Sequence, residues 1–336
     1  MEDAKKIIAK ITSIPHGSSP PLQHIVALLR ALRQSKIRRS DLVAKYGDTL
    51  LKAIHGSFYS GQYVGNIEVW SVYEQIFVAA LDVGNETLAS DCLKPLKKKF
   101  PESLRVKKLT GMQYEYQGEY KRARILYDTL LATNPGELSI LKRLVAAFKG
   151  EGDLVRAVEE LHNILKIFYH DQQLWEELAE IHLSMGDFPS AAFCFEELIL
   201  LGPGVGAYHL RLADIYYSMG DIENCLKARK HYTMSLNVQC GRLNLRAMYG
   251  LLAAAKKLEA FAGDKTSETE SSSVTTSASA SAVAIQASTV LSVQEMAVNK
   301  EILAVGREQL KDMIALCKGK EDEKIRNVLE AASDIL

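Results

Sequence analysis

The chain has 336 residues, of which 47% are hydrophobic and 24% are charged, a composition typical of globular proteins. Its 41 Lys and Arg residues equal its 41 Asp and Glu residues, so no net charge attracts nucleic acid, and such a partner is disfavoured. The longest apolar run, residues 247–255, is much shorter than the roughly 18 residues that indicate a membrane-spanning helix, so no transmembrane segment is expected.

The first 66 residues are predicted to form a helical lead-in. The opening of the chain contains acidic residues and lacks the apolar stretch of a secretory signal, so we expect a protein made and kept in the cytosol. After a break at residues 17–21, apolar side chains recur at helical spacing, namely Ile25, Leu28, Leu29 and Leu32. A second helix is expected after Ser40 as its N-cap, with an apolar face of Val43, Tyr46, Leu50 and Leu51.

Five glycines then follow one another at intervals of 34 residues without an insertion. They are Gly84, Gly118, Gly152, Gly186 and Gly220. This interval is that of tetratricopeptide repeats, helical hairpins that must stack on their neighbours to bury their apolar faces. The sequence therefore predicts an all-α fold, a tetratricopeptide-type α-α superhelix of stacked helical hairpins, with the repeat array over residues 67–262.

Residues at fixed distances from these glycines predict the details of each hairpin. Two sets are expected at the helix-helix seam, one five residues after the glycines (Ala89, Ala123, Ala157, Ala191 and Cys225) and one seven residues before them (Phe77, Gly111, Val145, Ala179 and Ala213). Four acidic or amide residues are expected to start the second helices, namely Asn85, Glu119, Asp153 and Asp187. Three prolines mark positions where those helices have ended, namely Pro101, Pro135 and Pro203.

The fifth hairpin and the remaining chain depart from this pattern. Arg229 stands where the other repeats have an apolar residue, so we expect Tyr232 to take its buried position, with a longer helix or an added turn. Residues 263–290 are rich in Ser and Thr and are predicted to be a disordered linker. Residues 291–336 are predicted to form C-terminal capping helices, with apolar stripes near Leu303 and near Val328.

The sequence provides little for catalysis. The eight histidines form no HExxH motif, and the five cysteines have no zinc or redox spacing, so we interpret the cysteines as reduced thiols. Residues 202–207 match a dinucleotide fingerprint formally, but they follow a predicted helix and occupy an inter-repeat turn. We therefore expect no enzyme, no catalytic residue, no cofactor and no metal.

The first helix of each hairpin is expected to face a groove that binds a partner. Its charged positions are basic early in the array (Arg105, Lys108, Lys142 and Arg143) and acidic later (Glu176, Glu177, Glu180 and Asp214). A groove that changes sign suits an oppositely patterned chain, although these residues are almost as well explained as a solvated face. The clamp of Lys, Asn and Arg that grips a chaperone's C-terminal carboxylate is absent, because Met112, Gln173 and Glu177 replace its residues.

Several stretches resemble one family more closely than generic repeats do. They include residues 100–112 (FPESLRVKKLTGM) and residues 191–198 (AAFCFEEL). Together with residues 73–82 and 171–175, they resemble the second subunit of the endoplasmic reticulum (ER) membrane protein complex, over about residues 65–260.

The resemblance implies a function without catalysis. It implies a scaffold subunit, peripheral on the cytoplasmic face of the ER membrane, in a hetero-oligomer that inserts weakly hydrophobic, multi-pass and tail-anchored transmembrane segments without an energy source. It also implies partners, namely cytosolic loops and tails of membrane subunits and a soluble cytosolic subunit. The alternative is a free cytosolic tetratricopeptide adaptor or co-chaperone.

Overall fold

The structure, a computed structural model, describes residues 20–56, 68–238, 244–269 and 293–316. The chain divides into two compact units, residues 1–160 and residues 161–336. All regular elements in the described ranges are α-helices, as the sequence predicts. The predicted stripe near Val328 lies outside these ranges.

The first unit contains seven complete helices in its described residues. They are α1 (Leu22–Ser35), α2 (Ser40–Gly56), α3 (Glu68–Val83), α4 (Glu86–Lys99), α5 (Leu104–Tyr116), α6 (Tyr120–Thr133) and α7 (Leu138–Glu151). Helix α8 (Leu154–Leu165) begins in the first unit and ends in the second.

The second unit contains six further helices in its described residues. They are α9 (Gln172–Ser184), α10 (Phe188–Leu201), α11 (Gly206–Met219), α12 (Ile222–Val238), α13 (Leu245–Thr269) and α14 (Val293–Leu316).

The two lead-in helices share a hydrophobic core with the first repeat. Ile25 and Leu29 of α1, Leu50 of α2 and Ile76 of α3 are almost completely buried in one cluster, which continues to Leu109 of α5. Burial of this kind is the main favourable term in folding, so α1 and α2 are stabilised by the array that they cover.

The start of α2 differs from the prediction. Ser40 is the first residue of the helix, and its hydroxyl donates a hydrogen bond to the Asp82 carboxylate, at 2.5 Å. The hydroxyl therefore connects α2 to the end of α3.

The repeat glycines end the first helix of each hairpin. All five have a positive φ, between 75° and 89°, a backbone conformation that favours glycine because it has no Cβ. The carboxylate or amide oxygens of Asn85, Asp153 and Asp187 then accept hydrogen bonds from backbone amides of the next helix, as predicted. Glu119 is also the N-cap residue of its helix, as predicted, but its side chain makes no capping hydrogen bond and pairs with Arg122 instead.

The predicted seam residues are all buried. The five residues that follow the glycines have no exposed surface, and the five that precede them are buried as well. The two helices approach closely at Gly111, where an added Cβ would lie 2.3 Å from Cε1 of Tyr127 on α6. The same glycine-tyrosine contact recurs between Gly250 of α13 and Tyr232 of α12.

The fifth hairpin is irregular, partly as predicted. Helix α12 has 17 residues, more than the second helices before it, and Tyr232 is buried. The expectation that Arg229 avoids a buried position is wrong, because its side chain is only 6% exposed. Its guanidinium donates hydrogen bonds to the side-chain oxygen of Asn299 and the backbone oxygen of Glu295, which lie on α14.

The C-terminal part of the described chain adds two long helices. Helix α13 continues to Thr269, six residues beyond Gly263, so the segment predicted as a linker begins as helix. No proline interrupts these residues, and a helix that is already nucleated extends at little cost. Helix α14 packs against α13 through Leu303, which contacts the cluster of Met248, Leu252 and Ala255, and its role as a cap remains a prediction.

Among the described helices, none combines the length and the mean hydropathy that a membrane-spanning segment requires.

Candidate protein-binding site

The predicted groove residues lie on the first helices of the hairpins. The four basic residues are in the first unit, Arg105 and Lys108 on α5 and Lys142 and Arg143 on α7. The four acidic residues are in the second unit, Glu176, Glu177 and Glu180 on α9 and Asp214 on α11. A single groove that contains both sets remains a prediction.

The basic side chains of the first unit connect consecutive first helices. Arg105 Nη2 lies 2.6 Å from Oε2 of Glu74 on α3, and Arg143 Nη2 lies 2.6 Å from Oε2 of Glu115 on α5. Lys108 Nζ donates to Ser139 Oγ at 3.3 Å. These contacts neutralise much of the positive charge that the sequence suggests for this face.

The acidic side chains of the second unit have a similar arrangement. The Tyr208 hydroxyl of α11 donates to Oε1 of Glu176 at 2.8 Å, which connects α9 to α11. Asp214 accepts hydrogen bonds from Arg246 Nη2 at 2.6 Å and from the Tyr232 hydroxyl at 2.7 Å. Glu180 is exposed. Contacts between repeats therefore use several of the charged positions that the sequence assigns to partner binding, which sequence reasoning did not foresee.

Glu115 is the centre of a buried network in the first unit. Its carboxylate accepts hydrogen bonds from the Tyr127 hydroxyl and from Arg143, and its side chain is 13% exposed. Burial raises the pKa of Glu115, although Arg143 and Tyr127 act in the opposite direction. Burial and the adjacent carboxylate raise the pKa of Tyr127 well above its usual value. The network joins both helices of one hairpin to the first helix of the next.

The described part of the chain offers neither a reactive thiol nor a cluster of metal ligands. Cys92 and Cys194 are buried thiols, and burial raises the pKa of each to about 12, so thiolates do not form near neutral pH. No group of three His, Cys, Asp or Glu side chains among the described residues could hold a metal ion.

Two histidines of the second unit form a stacked pair. Nδ1 of His209 and Nδ1 of His231 are 3.1 Å apart, and the Tyr216 ring stacks on His231. Burial lowers the pKa of both imidazoles. The pKa of His231 is lowered further by His209 and Lys230 and is raised by Glu196. The Pro203 carbonyl raises the pKa of His209.

We expect the second unit to lose stability as the pH falls below about 6.5. A histidine whose pKa is lowered in the folded state binds a proton more readily in the unfolded chain. Its contribution to the free energy of unfolding is therefore present above about pH 6.5 and is lost as the pH falls through the folded pKa. Urea unfolding at about pH 7.5 and about pH 5.5 measures this loss, which should be smaller in His231→Gln. The matched variant His170→Gln, at an exposed position, should behave like the parent, and an equal loss in His231→Gln would contradict the assignment.

Comparison with known proteins identifies the family. A model of the EMC2 TPR-like repeat domain matches residues 101–225. The chain is 35% identical to ER membrane protein complex subunit 2 of Xenopus tropicalis over 223 residues, which cover 66% of this chain and 72% of that relative. The chain belongs to the ER membrane protein complex subunit 2 family.

Further relatives extend this similarity across eukaryotes. ER membrane protein complex subunit 2 of Dictyostelium discoideum is 32% identical over 243 residues, which cover 68% of this chain and 73% of that relative. TPR repeat protein oca3 of Schizosaccharomyces pombe is 36% identical over 173 residues, or 51% of this chain and 61% of that protein. These matches confirm the resemblance to subunit 2 and the tetratricopeptide fold. The region that the family model matches runs from the start of α5 into α12.

Proposed function

We propose that this subunit 2 family member is a non-catalytic scaffold of the ER membrane protein complex, peripheral on the cytoplasmic face of the ER membrane. In this role it holds cytosolic loops and tails of membrane subunits and a soluble partner subunit. By doing so it supports energy-independent insertion of weakly hydrophobic, multi-pass and tail-anchored transmembrane segments by the complex.

Membership of the family carries this proposal, because the relatives are named as subunits of that complex. The repeat architecture supports it, since stacked helical hairpins present extended surfaces that bind partner chains.

Co-purification in a mild detergent tests the assembly. The tagged full chain should be recovered from ER membranes together with several membrane subunits and a soluble subunit, identified by mass spectrometry. Recovery with a soluble chaperone alone would favour the free adaptor or co-chaperone. Hydrolase or transferase activity of the purified chain would contradict a non-catalytic role.

Charge reversal on α9 tests whether the acidic face takes part. We expect Glu177→Lys combined with Glu180→Lys to reduce recovery of a membrane subunit several-fold, on the order of 1 kcal/mol of binding, with little change in melting temperature. Glu176 is left unchanged because it accepts the Tyr208 hydrogen bond. The control combines Glu159→Lys with Glu223→Lys on second helices, and equal recovery from both double variants would show that the acidic residues of α9 form only a solvated face.

A further inference from the structure

A cleft in the first unit combines a cationic rim with an apolar floor. It lies between the connection of α1 to α2, one face of α3 from Ser71 to Asp82 and the start of α5, and it has a volume of about 500 Å³. This volume is in the range of clefts that hold small ligands or the anchoring side chains of a peptide.

The rim carries an excess of positive charge. Five cationic side chains line the cleft, namely Arg33, Lys36, Arg38, Arg39 and Arg105. Two acidic side chains line it as well, Glu74 and Asp82. Two more carboxylates pair with rim cations from outside the lining, Glu68 with Arg33 at 2.6 Å and Asp41 with Arg39 at 2.9 Å, so the five cations exceed the nearby carboxylates of the described residues by one. This excess, together with the N–H donors that the pairs leave unused, favours an anionic ligand over a cationic one.

Carboxylates that themselves line the cleft hold two of these guanidinium groups in place. Arg38 contacts Asp82 through Nε and Nη2, at 2.9 and 2.5 Å, and Arg105 contacts Glu74 through Nε at 2.7 Å and Nη2 at 2.6 Å. A guanidinium has five N–H donors, so a carboxylate that uses two of them leaves the others available. The rim is therefore positioned before a ligand arrives, which lowers the entropic cost of binding.

Lys36, Arg38, Arg39 and Arg105 are the exposed cations of the rim, and of these Lys36 and Arg39 make no ion pair with another helix among the described residues. Arg39 pairs with Asp41, its neighbour two residues away, at 2.9 Å. No ion pair of the Lys36 ammonium occurs among the described residues. Both side chains can be changed without breaking a contact between helices.

The floor of the cleft is apolar. Leu32, Val43 and Ala79 are buried in the core of the first unit, and Ile37 and Val78 pack against that core while remaining partly exposed. A bulky apolar side chain placed on Ile37 and Val78 would remove their exposed surface from water.

We propose that this cleft binds a short acidic segment of a partner protein, with one bulky apolar side chain on the floor and its flanking carboxylates on the cationic rim. Charge complementarity carries the proposal, because arginine forks match carboxylates. The cleft shares Arg105 with the first-helix face, so it continues that face toward α1. The inference rests on the proposed scaffold function and specifies the chemistry of one partner segment.

A labelled pentapeptide with a central phenylalanine between two pairs of glutamates tests the proposal by fluorescence anisotropy with the purified full chain. We expect saturable binding that weakens as salt is added. Combining Lys36→Glu with Arg39→Glu should weaken binding at least tenfold, which corresponds to about 1.4 kcal/mol. Replacing the phenylalanine by alanine should also weaken binding, and replacing the glutamates by lysines should abolish it.

The matched control combines Lys121→Glu with Lys94→Glu. Both side chains are exposed in the first unit and outside the cleft, and Lys94 pairs with nearby Asp91 as Arg39 does with Asp41. The control should bind the peptide within about twofold of the parent, by the usual small effect of a distant surface charge.

Several results would overturn the inference. One is that both double variants bind the peptide equally weakly, and another is that the alanine peptide binds as tightly as the phenylalanine peptide. A third is that the lysine peptide binds. The last is that the acidic peptide shows no saturable binding while phosphatidylserine vesicles or inorganic phosphate bind. If the chain still co-purifies with membrane subunits in those cases, the proposed function stands and only the acidic segment is wrong. Circular dichroism melting of each variant verifies that it is folded.

Discussion

Replacing Gly111 with valine should lower the free energy of unfolding of the first unit by roughly 3 kcal/mol. A Cβ at this position would lie 2.3 Å from Cε1 and 2.5 Å from the hydroxyl oxygen of Tyr127. The Tyr127 ring cannot move away cheaply, because it is fully buried and its hydroxyl is bonded to Glu115. Chemical denaturation followed by circular dichroism measures the loss.

Gly136→Ala is the control for this prediction. No atom lies within 4 Å of a Cβ built at Gly136, which is exposed, so stability should change by less than about 0.5 kcal/mol. Gly111→Val should lower the free energy of unfolding by less in a Tyr127→Leu background than in the parent, because the two residues are in contact and their effects are not additive. A Gly111→Val protein as stable as the parent would contradict the close approach of α5 and α6.

Replacing Arg229 with alanine should detach α14 from α12 and α13. Arg229 is buried, and its guanidinium bonds to Asn299, which is 1% exposed. The Nδ2 atom of Asn299 has no partner in the described structure, so loss of Arg229 leaves both polar atoms of this amide unsatisfied. A cost of roughly 1–3 kcal/mol is typical of such a buried group. Hydrogen exchange should accelerate in residues 293–308 more than in α11.

Two further variants distinguish this contact from general damage. Lys227→Ala on the same helix removes a surface pair with Glu223 and a contact with the Tyr216 ring, neither of which involves α14, and should leave exchange in α14 unchanged. Arg229→Met combined with Asn299→Leu replaces both polar partners by apolar groups and should restore much of the protection. Unchanged exchange in α14 after Arg229→Ala would show that its apolar contacts hold the helix alone.

The repeat organisation was predictable because it depends on local rules. A glycine with positive φ ends a helix wherever it occurs, and an Asp or Asn side chain accepts a hydrogen bond from the following turn. Gly186 and Asp187 show both effects in adjacent residues, and Ala191 five residues later is completely buried.

The partners of the charged residues were not predictable in the same way. The sequence places Arg105 and Asp214 on first helices but does not say that Arg105 pairs with Glu74, 31 residues away, or Asp214 with Arg246, 32 residues away. Opposite charges separated by nearly one repeat are the signal that could have found these pairs, because such positions lie side by side on successive first helices. When each helix is considered alone, these charged residues look available for a partner, because their paired residues lie on a different helix.

The sequence by itself determined the period, the helix ends, the small seam residues and the family. These follow from the backbone conformations and volumes that each residue permits, which are properties of the residue and its near neighbours. Only the tertiary structure decided that Arg229 is buried against Asn299 and that a cationic cleft surrounds Ile37 and Val78. Both depend on residues far apart in the chain, and the environment of a charge is set by what packs around it.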